Sequence, residues 1–144
     1  MTYRIREVDG DDEDHAADLS LLHDLTFGSK DPKAKTSEGH WWLAYYEDQE
    51  APVGFAGVIK SVFPNAGYYK RVGVLPAHRG AGLQLRFSRV IEARCRRNGW
   101  KTIYSDTTDN IPSANNFIKA GYRLFEPSYR WAFSGSLYWR KDLA

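Results

Sequence analysis

The stretch Tyr69–Phe87, YKRVGVLPAHRGAGLQLRF, limits the fold of this chain more than any other segment. Tyr69, Val72 and Val74 are strand formers, and Pro76 ends the strand because proline has no N–H to give to a ladder. From Leu83 the apolar residues recur at Phe87, Val90, Ile91 and Cys95, the spacing of one helix face. Between strand and helix lies Arg79-Gly80-Ala81-Gly82. A glycine pair lets main chain approach a ligand without Cβ atoms in the way. The free N–H groups at the helix start, with the dipole behind them, favour an anion over the loop. Such a loop can cradle a phosphate or pyrophosphate. On the loop alone, a plain corner-turning role stands beside that reading, since short glycine motifs arise by chance. No Gly-Lys-Ser/Thr follows, so this is not a Walker A loop, and the third glycine of a dinucleotide fingerprint is missing.

Strands and helices alternate around this unit. Tyr3 to Val8 alternates as a first strand. The acidic run Asp9 to Asp14 reads as a helix start, with Asp11 or Asp12 as cap, and it lacks the spacing of a calcium loop. Ala17, Leu21, Leu22 and Leu25 then form an apolar helix face that Gly28 ends. Gly28 to Gly39 is polar and leaves a short helix or a loop open. His40 to Tyr46 is apolar enough for a strand buried on both faces, and Pro52 to Val62 is a third strand. A turn at Pro64–Gly67 leads into the fourth, Tyr68 to Val74. The helix after the glycine loop should run from Ala81 to about Asn98 and close at Gly99. Lys101–Ser105 is a fifth strand and Asp106–Asn110 a loop. A helix with Pro112 in its first turn follows, ending at Gly121. Tyr122–Phe125 and Leu137–Lys141 complete seven strands.

A second segment gives the loop its meaning. Asn110-Ile-Pro-Ser113-Ala-Asn-Asn-Phe117-Ile-Lys-Ala-Gly121-Tyr122 resembles the Asn-x-x-Ala-x-x-x-Tyr-x-x-x-Gly-Phe run of the GNAT superfamily of N-acetyltransferases. Arg79 and Gly82 match that family's Arg/Gln-x-x-Gly-x-Gly/Ala loop, with Gln84 in place of the last small residue. Val74-Leu75-Pro76 fits the lead-in, and the resemblance spans roughly Pro52 to Glu126. Two motifs at the right separation are far more specific than either alone. The resemblance implies one GNAT-type domain over residues 1–144, with a mixed, mostly antiparallel sheet of about seven strands. About four helices flank that sheet, and it splays between the fourth and fifth strands. It further implies acetyl-CoA as co-substrate and an amine as acceptor. Main chain of Val72, Gly73 and Val74 would hold the pantetheine arm, and Arg79, Gly80, Ala81, Gly82, Leu83 and Gln84 the pyrophosphate. Asn110, Ser113 and Phe117 of the next helix would touch the cofactor, with Asn110 equally readable as a helix cap. Arg86, one turn into its helix, is the candidate for the 3′-phosphate. The polar segment 28–39 and the aromatics Trp41–Tyr46 would shape the acceptor pocket, because that region varies with substrate in the family.

The usual acid and base of that family are missing at their positions. Phe117 stands where many members keep a tyrosine, and Ser105 where some keep a glutamate. Asp106, Tyr104 and Tyr69 are the substitutes within reach, beside Tyr129 and His40. Asp106 also reads as a loop-capping residue, the tyrosines as packing residues with a polar tip, and His40 as a structural histidine. His78 is expected to be exposed in the loop. These gaps keep a rival open, a CoA-binding module without turnover. A nucleic-acid binder using Arg86, Arg89, Arg94, Arg96 and Arg97 is a third reading. A net charge of +2 over 144 residues argues against it. A steep salt dependence of binding to random duplex would be its signature. The lone Cys95, on an apolar helix face, excludes an internal disulfide and reads as a buried thiol. No apolar run of about 18 residues is present and the N-terminus has no signal-like core, so the expectation is a cytoplasmic protein with no membrane partner and no metal. A homodimer is left open.

Overall fold

The computed structural model describes residues 2–143. Its elements are β1 (Tyr3–Val8), α1 (Glu13–Phe27), β2 (His40–Tyr46), β3 (Pro52–Lys60), β4 (Ala66–Val74), α2 (Leu83–Arg97), β5 (Thr102–Thr107), α3 (Ile111–Lys119), β6 (Arg123–Leu124) and β7 (Leu137–Asp142). A 3₁₀ turn at Pro76–His78 precedes α2. The strands form one sheet in the order β1-β2-β3-β4-β5-β7-β6. β1–β2, β2–β3, β5–β7 and β6–β7 are antiparallel, whereas β4 pairs with β5 in parallel. That parallel pairing joins Ala66–Tyr68 to Thr102–Tyr104, while β4 runs on to Val74 and β5 to Thr107. A mixed, mostly antiparallel sheet of seven strands is what the resemblance implied.

Among the described residues there are three α-helices where about four were expected, because residues 28–39 form turns and bends. Pro32 pushes Asp31 out of the helical region and removes a donor, and the segment has no apolar stripe to dock. α1 starts where Asp12 caps it, its carboxylate accepting from the His15 N–H at 3.1 Å. The face it buries shares only Leu22 with the expected one. Leu19, Leu22 and His23 are buried, while Leu21 and Leu25 are more than half exposed. β5 extends two residues beyond its expected end, so Asp106 is a strand residue.

The described residues cluster into two compact units. One comprises the chain up to Ile59 with Lys70–Phe87, the other Lys60–Tyr69 with the chain from Ser88. The first is centred on Leu19, Leu22, Trp41, Leu43 and Phe55, all at most 2% exposed. Truncating one of these leucines to alanine should cost about 2–5 kcal/mol. The second unit packs aromatic rings on one face of its strands, where Phe117 lies 4.8 Å from Tyr122, 5.4 Å from Tyr69 and 5.9 Å from Trp139.

Candidate functional site

In the first unit the glycine loop is shaped as a row of donors. Gly80 and Gly82 have φ of +80° and +82°, a region other residues reach only with strain. Arg86 N donates to Gly82 O at 3.1 Å and opens the helical ladder. The N–H groups of Gly80, Ala81, Gly82 and Leu83 donate to no acceptor among the described residues. A Cβ built on Gly80 or Gly82 would meet no protein atom within 4 Å, so both face open space. Donors with no protein acceptor ahead of a fifteen-residue helix suit a pyrophosphate. Arg79 folds back, its Nε donating to the Val74 carbonyl at 3.0 Å, so that carbonyl already has a partner. Gly73 is required by packing, since a Cβ there would lie 2.5 Å from Thr26 Oγ1 and 2.6 Å from a Phe55 ring carbon. Gln84 and Arg86 are half-buried in the first turns of the helix. His78, expected to be exposed, is half-buried between the Tyr3 and Tyr46 rings and shares a 3.0 Å hydrogen bond with the Tyr3 hydroxyl. His40 sits 3.4 Å from the Glu7 carboxylate, as a structural histidine would.

In the second unit, alternate residues of β5 face opposite ways. Ile103, Ser105 and Thr107 are buried, while Tyr104 and Asp106 are half-buried. On the buried face the Ser105 hydroxyl donates to the Tyr69 carbonyl at 2.8 Å and is spent there. Tyr69 is 3% exposed, and burial raises its hydroxyl far above the ordinary tyrosine range, against a hydrogen bond with Ser88. Such a phenol is poorly placed to exchange protons at neutral pH. Phe117 is 7% exposed within the ring cluster. Asn110 caps α3, its Oδ1 accepting from the Ser113 N–H at 3.1 Å, the cap reading of that residue.

The other face of β5 holds the arrangement that sequence reasoning missed. Asp106 Oδ2 accepts from the Tyr68 hydroxyl and, at 3.1 Å, from Trp131 Nε1. It is not a loop cap. Burial raises its carboxyl above the ordinary value, and the Trp131 hydrogen bond opposes the shift. Its Oδ1 has no donor among the described residues. Tyr104, two residues back on this face, touches Phe63 at 4.8 Å and Phe125 at 5.5 Å, with the Arg140 guanidinium over its ring at 5.5 Å. Tyr129 is 72% exposed. Trp131 lies in an irregular stretch between β6 and β7, where periodicity carries no signal. The Tyr68–Asp106 pairing is legible only once the β4–β5 register is known.

A cavity of about 70 Å³ opens in the first unit, lined in part by Lys33, Ala34, Thr36 and Trp41. These belong to the two segments expected to shape an acceptor pocket. His23 and Arg71, which the sequence did not mark, also line it. Cys95 is fully buried, and burial pushes its thiol up to about 12, which makes it inert. Among the described residues no group of three metal-ligating side chains occurs, and no helix is long and apolar enough to cross a membrane.

No curated protein sequence matches the chain. Solved structures that share its fold include a Klebsiella pneumoniae protein described as an acyl-CoA N-acyltransferase, 22% identical over 99% of this chain and 98% of that one, with a TM-score of 0.74. Others are a Bacillus subtilis acetyltransferase in complex with CoA and a GNAT-family acetyltransferase from Staphylococcus aureus. The first is 17% identical with a TM-score of 0.76, and the second 18% with 0.77; each alignment covers 99% of this chain and all of the other. The sequence model of the acetyltransferase (GNAT) family matches residues 3–122. With more than four-fifths of its length under that model, this chain belongs to the GNAT family of acetyltransferases.

Proposed function

We propose that the protein transfers the acetyl group of acetyl-CoA to the amine of an acceptor, giving an amide and free CoA. The observation that carries this is the row of unfilled N–H donors from Gly80 to Leu83, presented at the start of α2. In this reading those donors hold the pyrophosphate, main chain of Val72 and Gly73 holds the pantetheine arm, and Arg86 takes the 3′-phosphate. When bound, acetyl-CoA supplies a thioester activated toward nucleophiles.

The chain's own contribution is mostly placement. Orienting two reactants can lower a barrier by roughly 7–11 kcal/mol without proton transfer. Phe117 has no proton to give, and the hydroxyls of Ser105 and Tyr69 are engaged or buried. Of the candidate catalytic groups, Asp106 is the one carboxyl, and it keeps a free acceptor atom. Its Oδ2 is fixed by Tyr68 and Trp131, which leaves Oδ1 to take the proton that the amine loses. A carboxyl raised toward neutrality by burial is better matched to that task than an ordinary one. Calorimetry with CoA, followed by thiol release from acetyl-CoA against a panel of amines, tests the reading. Failure to bind CoA defeats it. Binding without thiol release for any amine favours the rival, a CoA-binding module, which the occupied Ser105 hydroxyl and aprotic Phe117 would suit.

A further inference from the structure

The cavity in the first unit contains a polar pair whose hydrogen-bonding capacity is not used among the described residues. His23 is 3% exposed, and neither Nδ1 nor Nε2 has a hydrogen-bond partner among the described residues. Arg71 Nε is also buried without a partner among them. Both side chains line the cavity, and both lie against the Phe27 ring, His23 stacked at 5.1 Å and the Arg71 guanidinium at 4.9 Å. Buried polar groups are ordinarily satisfied, so three orphan nitrogens on one wall ask for a ligand. The other polar lining groups are engaged. Lys33 Nζ donates to Ser20 Oγ at 2.7 Å and pairs with Asp24 Oδ2 at 3.2 Å, and Thr36 Oγ1 donates to the Gly10 carbonyl at 2.7 Å. Arg71 donates through Nη2 to the Pro32 carbonyl at 2.9 Å, but no carboxylate pairs with it among the described residues. A half-buried guanidinium with no paired carboxylate among the described residues, next to a ring that can donate, has the donor set that a carboxylate takes. The remaining wall is apolar: Ala16, Leu19, Trp41 and Phe55. One water needs on the order of 10–15 Å³ of such space, so about 70 Å³ admits a carboxylate with a short carbon chain behind it.

We propose that this cavity binds the carboxylate of a small molecule, with Arg71 Nε and the His23 ring donating to its oxygens and Leu19 and Trp41 covering its carbon. The acceptor of acetyl transfer is then an amine that also carries a carboxylate, an amino acid or a close analogue. This second step rests on the acetyltransferase reading; the anion site does not. Burial and the Arg71 and Lys33 cations hold the empty-site imidazole below its ordinary range, against Asp24 and Asp31, which favour its protonation. A bound carboxylate adds to the favouring side, so it should raise the titration of His23.

Imidazole NMR of the labelled protein during titration with sodium acetate, with sodium chloride as the ionic-strength control, tests the site. Acetate should shift the His23 resonances saturably and move their titration to higher pH. Arg71→Met should weaken acetate binding about tenfold or more, with Arg71→Lys in between. Melting curves of each variant confirm folding. A response no larger than that to chloride, or one unchanged in folded Arg71→Met, overturns the proposal and leaves a water-filled cavity. In parallel, thiol release from acetyl-CoA is compared for amino acids and their amides. Preference for the acids, lost in Arg71→Met, supports the acceptor assignment. Acetate binding with no turnover of any amine supports the site and removes the acetyltransferase reading. Turnover that treats acids and amides alike, without an acetate response, overturns the site and keeps that reading.

Discussion

Asp106, proposed above as the proton acceptor, is a half-buried carboxyl held by two hydrogen bonds, and its burial has a consequence for stability. Its raised pKa means the folded state holds a proton that the unfolded state releases between the ordinary value of 3.8 and the raised one. The folded state binds more protons in that window, so stability falls as pH rises through it. Asp106→Asn keeps an acceptor for Tyr68 and Trp131 and removes the buried charge. At neutral pH the variant should melt no lower than the parent, and its stability should lose the pH dependence above 3.8. Its kcat/KM should fall by about 10²-fold or more. A large loss of stability with unchanged transfer would make Asp106 a structural residue only. Gly82 makes the complementary case. At φ +82° a branched side chain is strained, and its carbons would enter the open space before the donor row. Calorimetry on Gly82→Val should show a large loss of CoA affinity in a folded protein; undiminished affinity would end the cradle assignment. The turn conformation of Gly82 is legible in the sequence because a turn motif is local. Asp106 is named there only as one candidate among several, and its pairing is not legible because its partners stand 38 and 25 positions away in the chain.

At the scale of elements, legibility followed the strength of the periodic signal. In α2 the residues Leu83, Phe87, Ile91 and Cys95 are all at most 2% exposed, as their spacing demands. In α1 the apolar residues are spread around the helix, so an i, i+4, i+8 stripe of Ala17, Leu21 and Leu25 looks like a core face and lies outside. The face that docks includes His23, a residue that composition marks as polar. β5 was read two residues short because Asp106 and Thr107 look like loop residues until β7 pairs with them at Tyr138 and Leu137. The outer face of α2 carries a prediction of its own. Arg86 lies half-buried one turn in, whereas Arg96 is more than half exposed and paired with Glu92 at 3.3 Å. Exposed pairs of that kind contribute little. Arg86→Ala should therefore weaken CoA more than 3′-dephospho-CoA, by about 1.5–3 kcal/mol for a lost charged hydrogen bond. Equal weakening of both ligands would mean that Arg86 does not meet the 3′-phosphate.

For the whole molecule the question is what sets the rate. The mixed sheet of seven strands came through in the sequence because two motifs pointed to the family, whereas the strand order did not. The proposed chemistry did not, because Phe117 and Ser105 stand where the family's usual acid and base would be and the contacts around Asp106 are assembled only by tertiary structure. If placement supplies most of the acceleration, the amine attacks in its neutral form and passes a proton to Asp106 only after the bond has formed, so the acceptor's own deprotonation governs the alkaline side of the profile. kcat/KM should then rise with pH up to the pKa of whichever amine is used, and two acceptors of different basicity should give inflections displaced by the difference between them. Asp106 must be ionised to accept a proton, so its raised carboxyl should set the acid limb at one pH for both amines. That limb should vanish in Asp106→Asn while the amine-dependent inflection stays. The decisive measurement is the pair of profiles in parent and variant. An alkaline inflection fixed at one pH for both amines, and removed by changing a side chain other than Asp106, would replace direct attack with a dedicated base elsewhere.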